Sequence, residues 1–253
     1  VGPGASGSGK NQRAFRARAD CQHHNRKGKR PAGGEGHKRG TNNKEYRMAD
    51  AQVSISRIGT ETLRVPLVGT APLIVHKFSE KSKRQMLDAM QGRKSPKEAK
   101  DPEAEYEAAF YKHDDDGYGF PVIAFKAASV SACRFFGKSM PMTLARQCIF
   151  FDAEFSKRDG QKLARIVGTP HMREDVTRVG MGGTDLRYRP EFTEWSTEVE
   201  LTFVKSMLTR ESVLSLIEAG GMGVGVGEWR PEKKGDFGTY AIDETRDVEV
   251  LSK

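Results

Sequence analysis

Gly220-Gly-Met-Gly-Val-Gly-Val-Gly227-Glu-Trp-Arg-Pro-Glu-Lys-Lys-Gly235-Asp-Phe-Gly238-Thr-Tyr240 is the stretch on which the fold of this chain turns. It follows an apolar run with helical spacing at Glu211–Ala219 and leads into a β-prone run at Phe237–Ile242. Just upstream, Glu194-Trp-Ser-Thr-Glu-Val-Glu-Leu-Thr-Phe203 alternates polar and apolar residues, which predicts a half-buried strand over 194–205. The order is strand, helix, glycine-rich loop, strand. A dinucleotide-binding fold is disfavoured, because its glycines follow a strand and precede a helix.

Far upstream, Glu61–Val68 reads as a first strand, with Pro66 arguing for an edge position or a bulge. Residues 120–137 read as a mostly buried helix ended by Gly137, whose small residues suit close packing on a sheet. Residues 147–155 and 163–179 look extended. The skeleton is then β-α-β-β-α-β, an α+β domain of ferredoxin-like (RRM-like) arrangement. Helical and β-hairpin insertions are expected at about 70–118 and 156–192. In the first of them, Ser79 is expected to cap a helix striped by Met86, Leu87 and Met90. Asp101-Pro102 should open another, and Asp114–Gly117 should form a turn.

Charge divides the 253-residue chain sharply. The whole carries a formal net charge of +8. Residues 1–47 hold twelve Lys and Arg against three Asp and Glu, whereas residues 48–253 hold thirty against thirty-one. The basic character thus belongs to a Gly-rich segment with almost nothing to bury, expected to be a disordered tail. Met48 reads as the natural start of the domain at 48–253, and the tail as an appended or read-through segment, or else as a basic arm. Gly4–Asn11 nearly spells a phosphate-binding loop, but Asn11 replaces the required Ser or Thr and no strand precedes it. No run approaches the length of a membrane helix, and no apolar secretion signal is visible. Cys21, Cys133 and Cys148 show no metal-ligand spacing, and the odd count fits a reducing cytoplasm. His113-Asp-Asp-Asp116 lacks the spacing of a cation loop and is expected to be an acidic turn. No cofactor or metal is expected.

The glycine-rich loop mixes cations with flat rings: Arg230, Lys233 and Lys234 among Trp229, Phe237 and Tyr240. Single-stranded nucleic acid needs charge for its backbone and stacking surfaces for its bases, and this mixture supplies both. Amides of Gly225, Gly227, Gly235 and Gly238 are expected to reach phosphate oxygens, with Trp229 or Phe237 stacking a base. The competing reading is a tight loop with a Trp lid over the core. Lys77, Lys81, Lys83 and Arg84 are expected either to line a binding groove or to form a solvated helix face. Arg173, Arg178, Arg187 and Arg189 suit phosphate contacts from an inserted, thumb-like hairpin, with surface salt bridges as the alternative. His76 is a candidate general base, the one catalytic residue the sequence offers.

Gly225-x-Gly227 followed by Gly235-Asp-Phe237-Gly238 resembles the signature of the RAMP superfamily, which includes the RNA-binding backbone subunits of CRISPR effector complexes. Phe120-Pro121-Val-Ile-Ala-Phe125-Lys126-Ala-Ala-Ser-Val-Ser-Ala-Cys-Arg134 is similar to the opening of that family's first helix, keeping Pro121, Lys126 and the small-residue spacing but carrying Val-Ile-Ala in place of Gly-Ser-Ser. The resemblance implies non-catalytic binding of single-stranded nucleic acid, RNA slightly ahead of DNA. It also implies head-to-tail assembly along the strand or a place among effector-complex subunits. Val224-Gly-Val-Gly-Glu-Trp-Arg-Pro-Glu-Lys233 is similar to segments of uncharacterised phage and prophage proteins. Two rival functions follow from the residues: a metal-independent endoribonuclease using His76, and a phage assembly protein that binds only protein.

Overall fold

The computed structural model describes residues 55–93, 99–179 and 183–251; the expectations for the basic segment 1–47 lie outside these residues. In chain order the elements are β1 (Thr60–Gly69), β2 (Leu73–Ile74), α1 (Glu80–Met90), α2 (Pro102–Ala108), β3 (Tyr111–Lys112), β4 (Tyr118–Pro121) and α3 (Val122–Ala132). A 3-10 segment at Cys133–Ser139 leads to α4 (Met142–Cys148), β5 (Ile149–Asp152), β6 (Glu154–Ser156), β7 (Gln161–Val167), β8 (Pro170–Val179), β9 (Gly183–Phe192) and β10 (Ser196–Val204). The chain continues through α5 (Arg210–Gly223), a 3-10 turn at Pro231–Lys233, β11 (Tyr240–Ile242) and β12 (Glu249–Leu251).

Alternation in β1 and β10 sets the core. Leu63, Val65 and Leu67 face Leu201, Val199 and Thr197 across an antiparallel register, and all six are buried. β11 pairs with the far side of β1, and β5 with the far side of β10, both antiparallel. The central order is therefore β5-β10-β1-β11, with α3 in the crossover from β1 to β5 and α5 in the crossover from β10 to β11. This is the ferredoxin-like α+β arrangement. Phe125, Ala128 and Ala132 of α3 join Val213, Leu216 and Ile217 of α5 in the core over this sheet. The other face is polar: Thr62 bonds Thr202 at 2.9 Å, Arg64 bonds Glu200 at 2.7 Å and Glu249 at 2.9 Å, and Arg246 pairs with Glu198.

The remaining strands extend the fold in two directions. β7 joins the end of β10 and carries β4 and β6, while β8 and β9 form a long hairpin closed by β2 into a second sheet. Trp195 sits between the two, 3% exposed, with its indole N–H donating to the Ala71 carbonyl at 2.9 Å.

Four expectations need correction. Pro66 lies in a central strand, neither at an edge nor in a bulge. β11 pairs Leu67–Gly69 and β12 pairs Thr62–Arg64, so a gap is left beside Pro66. Its carbonyl accepts from the Asp243 N–H on that side, so the missing proline N–H faces the gap and breaks no ladder bond. The third helix begins at Val122, because Phe120 and Pro121 pair with β7 as the end of β4. The helix α1 is capped as expected by Ser79, whose hydroxyl accepts from the Ser82 N–H. Its Met86, Leu87 and Met90 nevertheless remain exposed rather than packed.

Gly220 to Gly223 are not loop but the last turn of α5. A Cβ on Gly220 would stand 2.9 Å from the Ser129 backbone nitrogen of α3, and one on Gly221 only 2.0 Å from the Tyr240 carbonyl of β11. These glycines let α5 lie directly on α3 and β11, and the loop proper starts at Val224.

Candidate functional site

From Val224 the chain leaves α5 and crosses the end of β2. The Val226 N–H donates to Gly238 O at 2.9 Å, the Glu228 N–H to Ile74 O at 3.0 Å, and the Gly238 N–H to Pro72 O at 2.8 Å. Gly227 has φ +78° and would place a Cβ 2.6 Å from the Ile74 carbonyl, so only glycine brings the loop this close to β2. Trp229 (φ +50°) and Lys234 (φ +66°) are also left-handed. A bulky residue in that region is strained and persists only where its surroundings hold it. The amides of Gly225, Gly235 and Gly238 donate to Gly220 O, Arg230 O and Pro72 O, so these glycines build the loop instead of presenting free donors.

What holds Trp229 is a pair of guanidinium groups from the hairpin. Arg173 and Arg189 are cross-strand partners on β8 and β9, which puts both side chains on one face of the hairpin. The guanidinium carbon of Arg189 lies 5.0 Å from the Trp229 ring centre; that of Arg173 lies 5.2 Å from Trp229 and 4.9 Å from Phe237. The two rings meet edge to face at 5.9 Å. Carboxylates hold the cations in place. Arg173 donates to Asp175 at 2.9 Å and Glu191 at 2.8 Å, and Arg189, 1% exposed, pairs with Asp175. Hydrogen bonding to Glu191 keeps the Arg173 guanidinium above even its usual range, against the opposing effect of burial.

Beside the clamp is a cleft of about 250 Å³ between the loop and the start of α3. Pro121, Ala124 and Ala127 form one wall, Gly225 to Glu228 the other, with His76 and Tyr111 also lining it. His76 Nδ1 stands 3.5 Å from Glu228 Oε1, and Arg189 Nη1 3.7 Å from Glu228 Oε2. The His76 imidazole, reinforced by Arg189 and Arg187, holds the Glu228 carboxyl below the usual carboxylate range despite the opposing effect of burial. At Glu232 burial pushes upward, but Arg230, Arg134 and Lys233 together outweigh it and lower the carboxyl. Burial pushes the Tyr111 phenol up, and the charges of Asp159 and Glu228 add to the effect.

Of the residues singled out in the sequence, the structure brings His76, Gly225, Gly227 and Arg230 together around this cleft. Lys233 and Lys234 follow Glu232, another lining residue, and are exposed. Arg230 folds back, donating to Glu232 at 3.0 Å and to the Gly227 carbonyl at 3.1 Å. Arg134 reaches Glu232 at 3.4 Å, and Lys126 lies over the Phe150 ring. Lys77 points elsewhere, into an ion pair with Asp159, whose side chain is fully buried. Arg178 stands exposed toward the far end of β8. In the acidic turn, Asp115 binds Arg165 and Asp116 binds Arg158. Among the described residues no group of three or more His, Cys, Asp or Glu side chains could hold a metal ion. No helix there is long and apolar enough to cross a membrane. Glu228 is the residue that sequence reasoning missed; its one signal was a lone acid between Gly227 and Trp229.

No protein-family model matches the chain, and no curated protein matches it in sequence. Among solved structures it is similar to Cmr6 from Pyrococcus furiosus, at 9% identity over 74% of this chain and 100% of that one, with a TM-score of 0.40. A chain in the type III-B Cmr-beta complex bound to cognate target RNA is similar at 10% identity, over 76% of this chain and 61% of that one, with a TM-score of 0.39.

The clamp has a measurable consequence. Arg189→Ala leaves Asp175 with Arg173 as its remaining partner and removes the guanidinium beneath Trp229, and should destabilise the fold by about 1.5–3 kcal/mol in a denaturant titration. A loss below about 1 kcal/mol would mean that the hairpin and loop are not held by this pair.

Proposed function

We propose that this chain is a RAMP-type module that binds single-stranded nucleic acid, RNA ahead of DNA, along the loop from Val224 to Phe237 and the mouth of the adjoining cleft. One observation carries the reading: two exposed cations, Lys233 and Lys234, stand on a turn that continues directly from a cleft lined by small residues of α3 and the loop together with His76, Tyr111 and Glu228. A strand passing there meets positive charge for its phosphates and a narrow recess for a flat base. The attraction must be local, since residues 48–253 carry thirty basic against thirty-one acidic residues.

In this reading the loop cations divide their work. Lys233 and Lys234 neutralise phosphates, while Arg230, tied to Glu232 and Gly227, keeps the loop in shape. Arg178 on the exposed hairpin strand adds a further phosphate contact. Trp229 and Phe237 brace the loop through Arg173 more than they offer a base an open ring. The resemblance carried by Gly225–Gly238 and Pro121–Arg134 supports RNA as the strand, a cytoplasmic setting, and assembly along the strand with copies of itself or with other effector-complex subunits. The likeness of Val224–Lys233 to phage and prophage segments supports a phage-encoded origin.

A second reading has an observation of its own. His76 lines the same cleft with Glu228 on its Nδ1 side, an arrangement that leaves Nε2 for a proton transfer. Labelled RNA incubated with the full chain in EDTA separates the two. Intact RNA is expected with wild type, and cleavage that disappears in His76→Ala would establish the nuclease instead.

For the binding reading, Lys233→Ala/Lys234→Ala should reduce the slope of log K against log salt by about 1.4, two phosphate contacts at roughly 0.7 each for a single strand. The tail contributes equally to both proteins, so the difference isolates the loop. An unchanged slope would remove the loop from the interface.

A further inference from the structure

The cleft beside the loop contains a carboxylate where a phosphate-binding site would contain a cation. Glu228 is ion-paired at both oxygens, Oε1 3.5 Å from His76 Nδ1 and Oε2 3.7 Å from Arg189 Nη1, and each oxygen keeps a second acceptor site. An ionised carboxylate accepts at both oxygens and cannot donate. The other charged lining residues are already engaged: Arg230 binds Glu232 and the Gly227 carbonyl. The recess of about 250 Å³ lies below the range of about 300–1,000 Å³ typical of drug-sized sites and suits one planar group. Phe120 and Tyr111 also line it, and the short side chains of Ala124, Ala127 and Ala128 leave room.

We propose that Glu228 makes this cleft a reader of one nucleobase, selecting guanine through the two adjacent donors of its N1–H and N2–H edge. The inference rests on the nucleic-acid reading above. Guanine is the base whose pairing edge places two donors side by side, matching both oxygens of one carboxylate. Adenine and cytosine offer an amino donor beside a ring-nitrogen acceptor, which faces the second oxygen unfavourably. Uracil offers one N–H flanked by two carbonyl oxygens and is the poorest match. Phosphates stay outside, near Lys233 and Lys234, so strand charge and base identity are read by different groups.

The test uses the full chain and twelve-residue oligouridine RNAs carrying one central guanosine, inosine, adenosine or uridine. All four have the same length and charge, so sequence-independent attraction to the chain's basic residues is the same for each. Guanosine should bind roughly five- to hundredfold more tightly than uridine, the discrimination of one bidentate base contact. Inosine, which keeps N1–H and lacks the amino group, should fall between. Glu228→Gln presents one acceptor and one donor and should move the preference from guanosine to adenosine. If that variant fails to fold, the wild-type series decides alone. Measurable binding with all four RNAs equal within twofold would overturn base reading while leaving strand binding intact. No binding of any RNA at low salt would overturn the strand reading and base selection with it.

Discussion

Two guanidinium groups on one hairpin face, Arg173 and Arg189, hold the candidate site in shape. They meet Trp229 and Phe237 of the loop on one side and Asp175 and Glu191 of their own sheet on the other. An arginine buried at 1% exposure is tolerable only with such partners, since an unpaired charge there would be very costly. The same contacts hold Trp229 in its left-handed conformation. Removing the clamp would free the loop to relax, and the cleft beside it would lose one wall. The hairpin is therefore part of the site even though it contributes no lining residue to the cleft.

The charge distribution differs between the two sides of the molecule, which bears on the proposed binding of a polyanion. On the outer face of the sheet, Glu198, Glu200, Asp152 and Glu249 neutralise Arg246, Arg64 and Lys162 in paired contacts. A nucleic acid laid across that surface would have to displace these pairs and meet their carboxylates. The loop side offers exposed Lys233 and Lys234 beside an open recess. Thus the sheet that gives the fold its RRM-like outline is the less favourable surface for a strand, and the helix-to-strand loop the more favourable one.

Much of this was legible in the chain. Strict alternation located β1 and β10, and together with Glu211–Ala219 and Phe237–Ile242 it gave the ferredoxin-like order. Ser79 and Asp101 cap the helices that their spacing predicted. The failures have a shared cause: contacts between residues far apart in sequence. Gly220 and Gly221 look like loop residues until α3 and β11 are seen against them. Pro66 looks like an edge signal until the gap between β11 and β12 is visible. Arg173 and Arg189 form the salt bridges their sequence allowed as an alternative, but to Asp175 and Glu191 below the surface, and Lys77 pairs with Asp159. Glu228 carries no local pattern; its significance arises only when His76 and Arg189 close around it.

The central claim is that nucleic acid lies along the loop and cleft, not across the open sheet. Photo-crosslinking the full chain to a single-stranded RNA and mapping the modified peptides by mass spectrometry tests it most directly. Crosslinks concentrated at His76, at Tyr111 and between Gly225 and Phe237 are the predicted result. Crosslinks concentrated instead on the outward residues of β1 and β10, such as Arg64, Glu198 and Glu200, would contradict it.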